Sequence, residues 1–402
     1  MSDARLPDRF LWGAATAAHQ VEGDNRLSDC WALEHATPSL FREPSGDAAD
    51  QYHRFAEDLR LLADLGLNAY RFGVEWARVE PKPGEVSNAA LDHYAQCVAL
   101  CRDLGIAPVV TFHHFTQPLW MARLGGMGSD EFPSRFAEYC GRVASTLDGV
   151  ALACTLNELN LPLLAGSYFQ DRAPQASREA AETALGAPLS SFFLFSGEAV
   201  LTGGLEAHRQ ARAAIRSVRP ELSVGMTLAI SEEDAEPGAE AVRAERLKTG
   251  YLPFLAAVAD DDFVGVQTYS RTVSRADGSR GAVRDATLTT MGWEDRPEAL
   301  GAVCRWVSEV CTRPIYVTEN GYPGTNDPRR SEFITAAIAG MKAAMDDGAD
   351  VRGYFYWSLL DNFEWMFGYD QKFGLIEVNR STQVRRVKPS AEIYSSIVAE
   401  YA

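Results

Sequence analysis

Eight short apolar, strand-favouring runs, each separated from the next by a longer stretch of helical pattern, constrain this chain more than any other feature. The runs are Phe10–Ala17, Ala69–Trp76, Ala107–Phe112, Ala151–Leu156, Leu222–Ile230, Phe263–Tyr269, Ile315–Thr318 and Val351–Trp357. Before the second, Phe55, Leu59, Leu62 and Leu65 recur at helical spacing and Gly66 supplies a stop signal. A helix over Ala89–Leu104 ends at Gly105, another begins near Pro133–Ser134, a long one is expected from about Ser190 to Ser217, and Pro389 opens the last. The polar stretches 171–189, 231–241 and 272–290 read as loops. Strands that alternate with helices, with no linker between halves, predict a single (β/α)8 TIM barrel over residues 1–402, with the active site at the C-terminal face of the strands. A doubly wound open sheet would need a glycine-rich phosphate turn after an early strand, and no GxGxxG or P-loop sequence is present.

What stands at the C-terminal ends of these runs is polar. The first leads to His19, Gln20 and Glu22, and the second holds Arg71 and Glu75. The third ends in His113 and His114, the fourth in Asn157 and Glu158, and the sixth in Tyr269. The seventh ends in Glu319 and Asn320, and the eighth in Trp357, with Glu364 and Trp365 just beyond. A charged or amide group at the end of an apolar strand is costly unless paired or wet. One such group is unremarkable; on seven strands they predict a polar pocket at one barrel face.

The available side chains narrow the chemistry. No serine or cysteine sits in a nucleophile-elbow sequence, and there is no HExxH. His113 and His114 are adjacent, so on a strand they point to opposite faces, which suits no shared metal. The 7 cysteines include no CxxC pair and read as small apolar side chains in a reducing compartment. No metal and no cofactor are expected. A net charge of −17 argues against nucleic acid or an anionic membrane as partner. No run is long enough to cross a bilayer. Acidic Asp3 and Asp8 beside Arg5 and Arg9 spoil the start as a secretion signal, so a cytoplasmic location is expected. The sequence leaves room for a homo-oligomer.

What remains is two glutamates on different strands, with amides, an arginine, a tyrosine and tryptophans around them. Two carboxylates are what cleavage of a glycosidic bond requires. Tryptophan faces suit the apolar face of a pyranose, and Asn, Gln and His suit its hydroxyls. The residues point to a sugar.

The motifs resemble glycoside hydrolase family 1, the β-glucosidases and related β-glycosidases, over essentially the whole chain. The matching segments are FLWGAATAAHQVEG (Phe10–Gly23), YRFGVEWARVEP (Tyr70–Pro81), TFHHFTQP (Thr111–Pro118), TLNE (Thr155–Glu158), YVTENG (Tyr316–Gly321) and GYFYWSLLDNFEW (Gly353–Trp365). The tail FGLIEVNRSTQVRRVKPSA is similar too. The resemblance implies a retaining β-glycosidase without cofactor, with Glu319 as nucleophile and Glu158 as acid/base. It further implies that Arg71 and Tyr269 hold the nucleophile and that Asn157 binds the sugar 2-hydroxyl. Gln20, His114, Glu364 and Trp365 would take the other hydroxyls above a Trp357 floor.

On that reading the cation beside Glu319 should lower its pKa, and a less polar setting should keep Glu158 protonated. A retaining mechanism needs the two carboxyls roughly 5–5.5 Å apart. Glu364 carries a charge that would repel a 6-phosphate, so a neutral small-molecule β-glycoside is the expected partner: glucosides first, then fucosides and galactosides. A transglycosylase using the same intermediate, or a sugar-binding relative without catalysis, are the alternatives. Three positions depart from the family pattern. Leu159 replaces a proline, His114–Phe115–Thr116 replaces HWD, and Gln267–Thr268–Tyr269 replaces Asn-Tyr-Tyr. These bear on the residues behind the site and on the aglycone side.

Overall fold

The computed structural model describes residues 10–401; the charged residues weighed as part of a leader lie outside them. All eight expected strands are present: β1 Leu11–Ala15, β2 Ala69–Gly73, β3 Ala107–His113, β4 Leu152–Leu156, β5 Ser223–Ala229, β6 Phe263–Gln267, β7 Ile315–Asn320 and β8 Val351–Trp357. They pair in parallel in sequence order, and β1 closes the ring on β8 with Leu11 opposite Gly353 and Ala15 opposite Trp357. The fold is a (β/α)8 barrel.

Strand parity divides the core into two layers. Tyr354 and Tyr356 of β8 belong to the apolar layer between barrel and helices, where the Tyr354 ring lies 5.7 Å from Tyr394. Their neighbours Phe355 and Trp357 join Ala15, Ala69, Val109 and Phe263 in the interior layer. Gly13 makes room there: a Cβ on it would come within 2.7 Å of the Phe355 ring and 2.6 Å of the Ala69 carbonyl. On β2 the same alternation sends Tyr70 and Phe72 outward and Arg71 inward, where it is fully buried.

The surrounding helices include α1 Gln51–Asp64, α2 Asn88–Asp103, α3 Phe132–Thr146, α4 Leu161–Arg172, α5 Gln175–Leu185, α6 Leu205–Val218, α7 Glu240–Gly250, α8 Ala299–Val310, α9 Asp327–Asp346 and α10 Pro389–Tyr401. Their ends follow the sequence signals. Gly66 and Gly105 take the left-handed conformation after α1 and α2 at φ 74° and 74°, and Ser87 caps α2 by accepting from the Ala90 N–H. α10 is tied to the barrel by Tyr394, whose hydroxyl donates to the Gly13 carbonyl over 2.9 Å.

Four expectations about the connections fail. Residues 171–189 are no simple loop, because they contain all of α5. The stretch 231–241 includes the strand Glu232–Ala235 and the start of α7. The stretch 272–290 supplies most of Arg271–Ser274 and all of Arg280–Gly281, and these three strands form a small separate sheet. The long helix from 190 to 217 is continuous only over α6; before it come two short 3₁₀ turns and a π-helical turn over Val200–Gly204. Phe192, Phe193, Leu194 and Phe195 are all buried, so that segment is apolar on every side, and its hydrophobicity carries no helical period. Among the described residues no helix is long and apolar enough to cross a membrane.

Candidate active site

Glu319 reaches the barrel mouth through an irregularity in β7. Ile315 and Val317 both face the helices, and simple alternation would put Glu319 on that side as well. Between Val317 and Glu319 the register with β6 shifts, so that Val317 stands opposite Val266 and Glu319 opposite Gln267. This bulge re-aims the carboxylate into the mouth. There Arg71 donates to Glu319 Oε1 over 2.6 Å and the Tyr269 hydroxyl to Oε2 over 2.6 Å. Gln267 Nε2 adds a third bond, to Oε1, at 2.9 Å.

Glu158 follows β4 and holds a left-handed backbone at φ 46°, an uncommon conformation for a residue with a side chain. Its neighbour Asn157 is fully buried and joins several parts of the site. Its Oδ1 accepts from Arg71, from Gln267 Nε2 at 2.8 Å and from Thr227 at 3.1 Å. Its Nδ2 lies 3.1 Å from His114 Nε2, and the amide nitrogen carries a second N–H that can be offered to a sugar hydroxyl.

The tryptophans and the remaining polar groups stand around this centre. The His114 ring stacks on Trp357 at 5.5 Å and lies 6.1 Å from Trp365. Gln20 Nε2 donates to the Phe363 carbonyl and to Glu364 Oε2, at 2.7 and 3.3 Å. His113 turns the other way, against Phe132, Phe136 and Phe193. Among the buried polar atoms here that make no hydrogen bond within the protein are Gln20 Oε1, Arg71 Nε, His114 Nδ1 and Gln267 Oε1. Buried polar atoms are rarely left unpaired in native proteins, and a ligand rich in hydroxyls would satisfy them.

The electrostatics correct one expectation. Glu319 is not lowered: burial raises its carboxyl above the usual range, although Arg71 and Tyr269 pull it back. Glu158 is pushed well above that range, by burial first and then by the Glu319 charge. The order of the two is as expected, with Glu158 the group that keeps its proton. Glu364 is also pushed up, to about 8, by burial and then by Glu319. This weakens, near pH 7, the repulsion of a phosphate expected from its charge. Burial and Arg71 hold His114 well below its ordinary value, so it is neutral.

His114, Glu158, Tyr269, Glu319, Trp357, Glu364 and Trp365 line one cleft of about 490 Å³, large enough for a sugar and its substituent. Arg71 and Asn157 lie beneath it, and Gln20 joins it through Glu364. Behind Trp365, and stacked on it at 5.7 Å, is His19. Its donor atoms and those of Cys30 and Glu34 lie within 4.8 Å of one another, the one group of described residues assembled like a metal site. These side chains already engage one another and their neighbours, with His19 Nε2 3.3 Å from Glu34 and Ser45 donating to Glu34.

The chain matches the Glycosyl hydrolase family 1 profile over residues 2–281 and 257–401. It belongs to that family. Beta-glucosidase A of Thermotoga maritima is 31% identical over 440 residues, covering 99% of this chain and 98% of the relative. The bifunctional beta-D-glucosidase/beta-D-fucosidase of Bifidobacterium breve is 32% identical, covering 99% of each. Among solved structures, the beta-glycosidase BGL167 superposes with a TM-score of 0.94 at 46% identity over 99% of this chain and 98% of its own. The Thermotoga maritima beta-glucosidase in complex with deoxynojirimycin gives 0.86 at 28% over 99% of both. This family 1 protein is thus a β-glucosidase-like glycosyl hydrolase.

Its departures from the family pattern are now placed. Thr116 donates to Glu75 over 2.7 Å, and Leu159 is fully buried, packed where a Cβ on Gly204 would meet it at 2.6 Å. Neither lines the cleft, so both act from behind it. Gln267 does reach the nucleophile. Sequence reading registered it as a departure beside Tyr269 but not as a site residue; its extra methylene was the available signal.

Proposed function

We propose that this family 1 enzyme is a retaining β-glycosidase acting on terminal β-D-glucosyl groups, with residues 1–402 as one catalytic unit. The reading rests on one observation: a buried carboxylate, Glu319, held on both oxygens by donors, facing the same cleft as a second carboxyl, Glu158, that burial keeps protonated. Glu319 attacks the anomeric carbon while Glu158 protonates the departing oxygen. Once Glu319 is esterified its charge is gone, the main Coulombic reason for Glu158 to hold its proton disappears, and Glu158 becomes the base for water.

Arg71 and Tyr269 fix the nucleophile. Gln20, His114, Asn157, Glu364 and Trp365 take the sugar hydroxyls, and Trp357 takes its apolar face. The Bifidobacterium relative's name supports β-D-fucosides as second substrates; galactosides are third. A 2-deoxy-2-fluoro β-glucoside should inactivate the enzyme with a label on Glu319. A label on any other residue, or no inactivation together with no turnover of aryl β-glucosides, would reject the assignment. Product analysis with an added alcohol separates hydrolysis from transglycosylation by the same intermediate.

A further inference from the structure

The two carboxyls of the cleft are held in different ways. Glu319 is clamped by donors from Arg71, Tyr269 and Gln267. The Glu158 carboxyl is governed by burial and by the charges around it, with no hydrogen bond to it from any described residue. A side chain without such partners is aimed by its backbone, and the Glu158 backbone is left-handed, at φ 46°. A residue with a Cβ keeps that conformation only where its surroundings over-determine it. What holds it lies on β5, the strand beside β4.

The Glu158 N–H donates to the Thr227 hydroxyl over 3.4 Å. That hydroxyl is fully engaged: its proton goes to Asn157 Oδ1 at 3.1 Å, and its remaining lone pair faces Gln267 Nε2 at 3.2 Å. Thr227 is fully buried, and its methyl fills the space left by Gly265, its partner in the register of β5 with β6. A Cβ on that glycine would come within 2.5 Å of the methyl. The turn after Glu158 is tied to the same strand two residues further on. Asn160 accepts from the Ala229 N–H at 3.0 Å and donates to the Ala229 carbonyl at 2.8 Å, so its side chain serves as a strand partner where β4 has ended. Between these two ties the Glu158 carbonyl accepts from the Leu161 N–H at 2.8 Å. Neither Thr227 nor Asn160 lines the cleft.

We infer that Thr227 and Asn160 are positioning residues for the acid/base: they fix the left-handed turn that points Glu158 at the leaving-group oxygen. The inference rests on the glycosidase reading above. Both residues act through Glu158, so their effect is greatest in the step in which Glu158 gives up its proton.

The test compares phenyl β-D-glucoside, whose leaving group needs that proton, with 2,4-dinitrophenyl β-D-glucoside, whose leaving group does not. Thr227→Val keeps the shape of the side chain and removes the hydroxyl. Its kcat/KM for the phenyl glucoside should fall by about tenfold or more, since a misplaced catalytic group costs up to about 100-fold, and its kcat/KM for the dinitrophenyl glucoside should change far less. The ratio of the two is the readout, because a general disturbance of the site, including one passed to the nucleophile through Gln267, slows both substrates alike. Thr227→Ser, which restores the hydroxyl, should return the ratio toward the wild-type value. Should Thr227→Val not fold, Asn160→Asp, which keeps the acceptor for the Ala229 N–H and loses the donors, reads the same ratio. A wild type inactive on both glucosides would refute the glycosidase reading, and this inference with it. In an active enzyme, a ratio that the substitutions leave unchanged, or one that Thr227→Ser fails to restore, overturns the inference alone.

Discussion

Gln267 stands opposite Glu319 in the register of adjacent strands, and its amide is the third donor on that carboxylate, 2.9 Å from Oε1. The same amide nitrogen lies 2.8 Å from Asn157 Oδ1. One side chain thus joins the nucleophile to the residue beside the acid/base.

Gln267→Ala should lower kcat more than it raises KM. A lost hydrogen bond to a charged group is worth about 1.5–3 kcal/mol, which corresponds to a fall in kcat/KM of roughly 10- to 200-fold. Steady-state kinetics with an aryl β-glucoside measures this, and an unchanged kcat would remove Gln267 from the nucleophile's support.

Glu319→Gly should reduce turnover to a trace while leaving the fold intact. Azide should restore it by entering the space left by the carboxylate, giving the α-glucosyl azide. Formation of the β-azide would mean that the roles of Glu158 and Glu319 are reversed.

The pH dependence follows from the two raised carboxyls. Activity needs Glu319 ionised and Glu158 protonated, so kcat/KM should fall at low pH as Glu319 gains its proton and at high pH as Glu158 loses its own. Burial raises both groups, so both limbs should lie above the range, near 4.3, in which free glutamate titrates. Glu158→Gln should flatten the alkaline limb of kcat/KM, measured with a 2,4-dinitrophenyl glucoside, whose leaving group needs no acid and so keeps the variant's first step fast enough to follow. An alkaline limb that persists unchanged would assign that proton elsewhere.

Glu364, pushed up to about 8, should act as a neutral donor to a sugar hydroxyl below that pH and as an anion above it. Wild-type affinity for a neutral glucoside should therefore change through pH 8, and Glu364→Gln, which mimics the protonated form, should remove the change. Inhibition constants of a simple glucoside between pH 6 and 9 decide this.

Gly321, two residues after Glu319 and the last of TENG, is held against the end of β8. A Cβ there would sit 1.9 Å from the Trp357 carbonyl oxygen, so Gly321→Ala must push back the strand end that carries Trp357. Overpacking of this kind costs about 1–3 kcal/mol. The melting temperature should fall by a few degrees, and KM should rise because the Trp357 face moves. A melting point equal to the wild type's would show that the strand end yields freely.

Strand positions were legible in the sequence because each strand is a short apolar run bounded by a helix stop or a polar cluster. The ten candidate site residues stood out for a related reason, since a polar side chain at or just beyond the end of an apolar strand contrasts with its background; the roles proposed for them come from the family resemblance. Connections were harder to read. Phe192–Phe195 is buried on all sides and so has no periodicity, while Arg271–Ser274 alternates weakly and is stabilised by Glu232–Ala235, distant in sequence. Charge states were least legible. The lowering expected for Glu319 from Arg71 alone is outweighed by a depth of burial that no linear pattern encodes.

The shift between Val317 and Glu319 makes the nucleophile's orientation a property of the backbone rather than of residue identity. Straightening β7 at that point, with its residues unchanged, would restore strict alternation and keep the apolar pattern of Ile315 and Val317, but it would aim the carboxylate at the helices. Such a protein would still close its barrel and melt cooperatively, and would do no chemistry. For this chain, the difference between a catalyst and an inert scaffold is one step of strand register.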